Sequence, residues 1–404
     1  MSKRIRDLNL LLGSVIGMGS LVGACAADAR DPVDTVVAAA SAPQAAAACA
    51  LPSVMALTNE ETAWQLFANA SCPVNGKPGW ELWTEQSCLK DPASCATTSA
   101  HHLHASGLAQ LRAGAVVAPP GNCGPMLTAA VSPPPSLVPF IPKNLSANPT
   151  FCEEVFVNDA EAAFVKAPAP GASLATKKAQ ASYIASLPGG LQFPTAAVEI
   201  KVDWLPAASV NGAFDCTTNP PPGVYVEVID NACYALVSVH IESKLLKNWL
   251  WATFEPQNPI TNPNRCNPSL YNACNDPWGS VPPGSTGALT QRTPALIALM
   301  QQTGIQGILS GYRLVAAQSD FLDSTGAPSQ LGNSFTEFNA GVAAGTASCI
   351  TCHAYAQLTT RAVENDNIGG PPLAPIGFPS VLPPLPNGDS WLAQDFSWML
   401  GIMN

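Results

Sequence analysis

The chain is predicted to fold as an α+β protein: a small antiparallel sheet of about four strands, surrounded by helices, with long Pro-rich loops and disulfides. Three observations predict it. The middle of the chain, residues 193–254, holds runs that alternate apolar and polar residues at period two. The flanks carry helix starts and helical apolar stripes. The 404 residues include 39 Pro and 13 Cys, which favour stiffened loops and covalent cross-links.

The elements follow in chain order. Lys3, Arg4 and Arg6 precede an apolar, Gly-interrupted run from Leu8 to Val22, too short for a comfortable membrane span. Val22-Gly23-Ala24-Cys25 then resembles a bacterial lipobox, in which Cys25 would carry the lipid anchor; a plain signal-peptidase site at Ala24-Cys25-Ala26 is the competing reading. Either way residues 1–24 read as a signal peptide, residues 25–52 as a flexible Ala-rich tether and residues 53–404 as one folded domain. A helix is expected after Thr58 or Asn59, with Glu60 and Glu61 in its first turn. Phe151 to Lys166 and Ala172 to Leu187 read as two more, the second ended by Pro188-Gly189-Gly190.

Four strands follow: Phe193 to Trp204, Gly223 to Ile229, Cys233 to Ile241 and Trp249 to Phe254, with Asp230-Asn231 as a hairpin turn. Residues 256–283 are a Pro/Asn-rich loop. Helices are expected over Thr293 to Leu309, over Asn333 to Gly345 and over Trp391 to Met403, the last with an apolar stripe that includes Trp391, Phe396, Met399 and Met403.

Composition narrows the function. Charged residues are 11% against 47% hydrophobic, and the net charge is −10. An acidic chain of this kind has no basic face for nucleic acid. It permits docking to a basic redox partner.

Cys349-Ile350-Thr351-Cys352-His353 is the most specific signal. Cys-x-x-Cys-His is the attachment signature of haem c. Two thiols at this spacing can each add to one vinyl group of a porphyrin, and the histidine that follows can bind iron. With 13 Cys and 5 His, roughly 0.005 chance matches are expected. A thioredoxin-like site would follow a strand, yet Asn339 to Ser348 is a run of small residues; a zinc site would need a second ligand pair close by. Cys349 and Cys352 are thus the expected thioether anchors and His353 the proximal iron ligand. Attachment of haem c takes place outside the cytoplasm, which agrees with the signal peptide. Once Cys25, Cys349 and Cys352 are set aside, ten cysteines remain, enough for five disulfides; Cys88 with Cys95 and Cys266 with Cys274 would each close a short polar loop.

Two stretches support the same reading: His240-Ile241-Glu242-Ser243-Lys244 running into Asn248-Trp249-Leu250-Trp251-Ala252-Thr253-Phe254-Glu255, and Gly345 to Ser348 running into the haem motif. With Phe193-Pro194 and Glu199-x-Lys201, they resemble bacterial exported proteins described as cytochrome c family proteins. The resemblance spans roughly residues 55–404 in order and rests on short motifs. It implies haem binding and electron carriage, with no settled reaction. The family often continues Trp-x-Trp-Ala-Thr-Phe-Glu with a histidine; Pro256 stands there in this chain.

The second axial ligand decides between carrier and catalyst. His240 leads, on an otherwise apolar strand; a core histidine bonded to a carbonyl is the bland alternative. Met399 is the rival, 46 residues after His353, against a plain packing role. Trp249 and Trp251 would wall the haem pocket or simply fill the sheet core. Glu255, Lys244 and Arg265 are expected to pair at the surface or to meet haem propionates. His101, His102 and His104 read as a solvated patch or a metal cluster. The expected function is an exported monohaem cytochrome carrying single electrons, in the periplasm or on the outer membrane. A haem enzyme of peroxidase or oxygenase type with an open distal site is the alternative, and a disulfide-rich module with structural haem the weaker one.

Overall fold

The computed structural model describes residues 49–90, 101, 103, 123–126, 137–258, 260–261, 274–281, 291–360, 376–382, 384–385 and 388–402. The expected signal peptide, Cys25, most of the tether, His102, His104, Arg265 and Met403 lie outside them.

Helix α1 (Asn59–Ala70) starts where Thr58 accepts a hydrogen bond from the Glu61 amide. A 3₁₀ turn at Gly79–Leu82 leads to β1 (Thr84–Glu85) and the short α2 (Gln86–Lys90). After β2 (Gly124–Pro125) comes β3 (Thr150–Val157), an addition to the expected strands. The stretch Phe151 to Lys166 is thus strand first and helix second: Asn158 caps α3 (Asp159–Lys166), its Oδ1 accepting from the Glu161 amide. Glu153-Glu154 imitates the acidic first turn of a helix, yet both side chains are buried across the strand, one on each face.

The chain continues through α4 (Lys177–Ala185), β4 (Val198–Pro206), β5 (Val226–Ile229), β6 (Ala232–Ser243) and β7 (Leu250–Pro256). The four expected strands are all present. Asp230 and Asn231 both have left-handed φ, 49° and 65°, as a tight two-residue hairpin requires. The short pair β8 (Ser280–Val281) and β9 (Gln291–Arg292) precedes α5 (Pro294–Thr303), capped by Thr293 and stopped by Gly304 at φ 76°. A second addition is β10 (Tyr312–Gln318).

The C-terminal part departs from expectation. Within residues 333–345 only α6 (Thr336–Asn339) and a 3₁₀ turn are helical, and α7 (Cys349–His353) is the Cys-x-x-Cys-His motif itself. The expected closing helix from Trp391 breaks into β12 (Trp391–Ala393), paired with β11 (Gln357–Thr359), then two left-handed residues, then α8 (Trp398–Ile402). No helix among the described residues is long and apolar enough to cross a membrane.

The main sheet therefore has eight strands, not about four. Its order is β1-β3-β4-β6-β7-β10, with β2 on β3 and β5 on β6, antiparallel throughout. One face is the main apolar core: Ile200, Val202, Val239, Ile241 and Phe254 pack against Trp64 and Phe67 of α1 and Leu296 and Met300 of α5. Phe67 stacks on Phe254 with centroids 4.2 Å apart, and Trp64 meets Phe254 edge-on. Disulfides Cys49–Cys72, Cys123–Cys152 and Cys216–Cys233 join described residues. Cys88 and Cys274 are also disulfide-bonded.

Candidate functional site

The opposite face of the sheet is buried and polar. Side chains alternate along a strand, so residues paired across the ladder share a face. The register pairs Glu199 with Glu242, Lys201 with His240 and Asp203 with Ser238, then Glu242 with Trp251 and His240 with Thr253. Glu199, Asp203, His240, Glu242, Thr253 and Glu255 are all less than a tenth exposed. An ionisable face of this kind needs a polar cover, and the chain supplies one after residue 330. Thr336 on α6 bonds His240 Nε2 at 2.9 Å and Ser238 Oγ at 3.0 Å, and donates to Asp203. Ser334 donates through both its amide and its hydroxyl to Glu255, and Asn333 donates to Thr253. Glu255 and Lys244 are therefore buried, which corrects the surface pairing expected of them. Glu255 is held by Ser334 and Lys244 by Asp395, because the cover brings hydrogen-bonding partners inside.

The Cys-x-x-Cys-His motif forms α7, laid against the rim of this face. Its N-terminus is pinned by Gln318 of β10, whose carboxamide accepts from the Ile350 amide at 3.2 Å and donates to Ser348 Oγ at 3.0 Å. Its C-terminus is clamped by the tail: Trp398 Nε1 donates to the Cys352 carbonyl at 3.1 Å. Cys349 and Cys352 are thiols, in no disulfide; burial raises the Cys349 pKa, so it stays protonated.

His353 is oriented from both sides of its ring. Nδ1 lies 2.9 Å from the Phe396 carbonyl. A carbonyl only accepts, so Nδ1 carries the proton and Nε2 keeps its lone pair. That lone pair faces Glu242 Oε1 at 3.3 Å, and the Trp251 ring lies 4.4 Å from the imidazole, centroid to centroid. Burial pushes the His353 pKa down to about 3, so the imidazole is neutral. Glu242 is pushed well up, by burial first and then by the charges of Glu199 and Glu161.

The Phe396 carbonyl reaches His353 because Asp395 and Phe396 are both left-handed, φ 51° and 71°. For residues with side chains this costs energy and persists only under restraint. Here Asp395 accepts from Lys244 Nζ at 2.6 Å and from the Phe193 amide at 2.7 Å. Lys244 also donates to the Lys247 carbonyl and lies over Trp249. Lys244, Asp395 and Phe396 are functional-site residues that sequence reasoning missed as a group; the hint was Lys244 inside the His-Ile-x-x-Lys stretch.

The expected site residues mostly converge. His240 comes to the motif: a ring nitrogen of His240, a Glu337 oxygen and Cys349 Sγ lie within 4.8 Å of one another. Burial first, then the charge of Lys201, holds the His240 pKa well below its ordinary value. Trp251 walls the motif directly. Trp249 sits one ring further out, against Phe193, with φ 61° just before β7. Met399 is buried in the apolar cluster that holds Cys349 and Ile350, and its carbonyl accepts from Gln86. Glu161 is fully buried in this region with no hydrogen bond to either oxygen; burial, then Glu199 and Asp395, raise its pKa well above the carboxylate range. A cavity of about 630 Å³ opens beside the motif's N-terminal end, lined by Gln318, Leu331 and Ser334 among others.

The donors present fit a haem iron. Two thiols at attachment spacing precede a neutral imidazole whose Nδ1–H is tied to a backbone carbonyl, the outer contact that orients metal-binding histidines. The partly exposed Cys352 and His353 leave one side of the motif toward solvent. No protein-family model matches this chain, and no curated protein or solved structure was found similar to it.

Proposed function

We propose that this protein is an exported monohaem c-type cytochrome that passes single electrons in the periplasm or at the cell envelope. Cys349 and Cys352 are its thioether anchors and His353 its proximal ligand. The observation that carries the reading is His353 held through Nδ1 by the Phe396 carbonyl, directly after two thiols that take part in no disulfide. Haem c, once attached, supplies a one-electron iron couple. The chain's own residues orient the imidazole, keep it neutral and shield it with Trp251. His240 is the leading second axial residue, and Met399 the runner-up. Membership of the bacterial exported cytochrome c family belongs to this proposal, supported by the motifs alone. So does export: the disulfides suit an oxidising compartment. Acylation of Cys25 would tether the protein to a membrane surface, and the net charge of −10 suits a basic redox partner.

One observation favours a second reading, a haem enzyme with an open distal position. The face beside the motif is rich in buried acid–base groups, His240, Glu199 and Glu242 among them, where an electron carrier needs only apolar insulation. A module with structural haem is a weaker third reading.

The test is co-expression with a haem c maturation system, then visible spectra with and without carbon monoxide. Haem that survives denaturation, with sharp reduced bands indifferent to carbon monoxide, supports the carrier; His240→Ala should then convert it to a carbon-monoxide-binding form. A high-spin spectrum that shifts with carbon monoxide supports the enzyme. Protein with no covalent haem overturns both.

A further inference from the structure

A second buried cluster lies on the other face of the sheet. Glu154 on β3 points to the apolar side, where Trp204 Nε1 donates to its Oε2 at 2.8 Å. His101 packs against it, not in a solvated patch: the ring is buried, with Nδ1 2.9 Å from the same Glu154 oxygen. The other ring nitrogen, Nε2, faces two more carboxylates, Glu227 Oε1 at 3.2 Å and Glu81 Oε2 at 3.6 Å. Glu81, Glu154 and Glu227 are each less than a tenth exposed.

The arrangement has the layout of a metal site. One carboxylate holds Nδ1 and so aims Nε2, as the outer carboxylate does behind metal-bound histidines. Tyr225 Oη contacts the far oxygens, Glu81 Oε1 at 3.1 Å and Glu227 Oε2 at 3.2 Å, and has one proton for the two. That turns the near oxygens toward His101 Nε2, and the three donor atoms lie within 4.8 Å of one another. Glu81 Oε2 accepts no well-formed hydrogen bond. Lys77, on a half-exposed side chain, brings its ammonium to the same two near oxygens, within 3.4 Å of Glu81 Oε2. A cation is thus already drawn to this point. Three carboxylates against Lys77 and an imidazolium leave one negative charge uncompensated in a buried place. A divalent ion beside neutral His101 supplies at one point the two positive charges that Lys77 and the imidazolium otherwise provide.

We propose that Glu81, His101 and Glu227, with Glu154 behind the imidazole, form a binding site for a divalent first-row metal ion. One imidazole and two carboxylates suit Zn²⁺ or Mn²⁺. Without the ion, both ring nitrogens of His101 face carboxylate oxygens, which only accept, so each nitrogen carries a proton. Uptake of the ion therefore displaces the Nε2 proton into solvent.

The test uses the full-length holoprotein, without a histidine tag, stripped with a chelator. Zn²⁺ and Mn²⁺ are titrated calorimetrically in buffers of differing ionisation enthalpy, and free Mn²⁺ is followed by paramagnetic resonance. The expected result is one equivalent bound with one proton released, and an apparent affinity that rises ~10-fold per pH unit. Glu227→Gln should weaken binding at least ten-fold with the haem-region spectrum unchanged. Lys77→Met, on a half-exposed side chain, should tighten it. Absence of saturable uptake overturns the proposal. So does uptake that survives Glu227→Gln and vanishes on replacing His102 and His104, which would place the ion on those histidines alone. If Glu227→Gln fails to fold, proton release and Lys77→Met on the intact site decide.

Discussion

His353 is held by a backbone carbonyl, and that carbonyl is held in turn by a buried ion pair. The link runs from Lys244 through Asp395 to the left-handed Phe396, so side chains remote from the ring set its orientation. A hydrogen bond at Nδ1 makes the imidazole a stronger donor and favours ferric iron. On the proposed haem, Lys244→Met or Asp395→Asn should therefore raise the reduction potential with attachment unchanged; a spectroelectrochemical titration reads this, and an unmoved potential would deny the link. Glu161 gives a second prediction at the same scale. Its folded pKa lies well above 4.5, raised by burial first. Its contribution is intact below the ordinary carboxylate value and lost as pH rises, because the unfolded chain ionises while the fold keeps the proton. Glu161→Gln should thus raise the melting temperature clearly at pH ~8 and little at pH ~4, where the carboxyl is protonated in both states.

Among the elements, the central strands carry two unlike faces. On the apolar face, Phe254 stacks on Phe67 and meets Trp64 edge-on, and Phe254→Ala should cost about 3–5 kcal/mol in chemical denaturation. Strands β4, β5, β6 and β7 and the Asp230-Asn231 hairpin were legible in the sequence, because alternation and a turn dipeptide are local signals. Strand β3 was not: it is buried on both faces, so it does not alternate apolar with polar, and Glu153-Glu154 looks like a helix start. Strand β10, a seven-residue segment buried at both ends, gives little more. The closing helix misled for the opposite reason. Its apolar stripe is real, but Asp395 and Phe396 leave helical geometry to serve Lys244 and His353, a tertiary demand that local pattern does not contain. The motif residues and His240 were legible through chemistry. The carboxyl-rich surroundings were not, since a charged residue in a strand reads as solvent-facing.

For the whole molecule, the buried acids and histidines pull stability in opposite directions. Burial pushes Glu85, Glu199 and Asp203 up to about 7 and Glu337 up to about 8. What these four contribute is present below the ordinary carboxylate range and lost as pH rises through those values. His240 and His353 are held neutral, so acid costs stability as pH falls below their ordinary 6.5. Maximum thermal stability, by calorimetry, is expected between pH ~4.5 and ~6.5. The covalent frame adds to this: opening Cys123–Cys152, which spans 29 residues, should cost about 3–4 kcal/mol, measured by denaturation after selective reduction.

The polar face has a consequence for the order in which the molecule is made. Every strand of the main sheet lies before residue 319, whereas the cover and the motif helix begin after residue 330. A chain emerging from its N-terminus can finish the platform while its lid is still unmade. Had that face been lined with leucines, the wait would have exposed a sticky surface to every neighbour. Carboxylates, imidazole and hydroxyls stand in water at little cost, so the half-built sheet offers its neighbours a largely polar face until Asn333, Ser334 and Thr336 cover it.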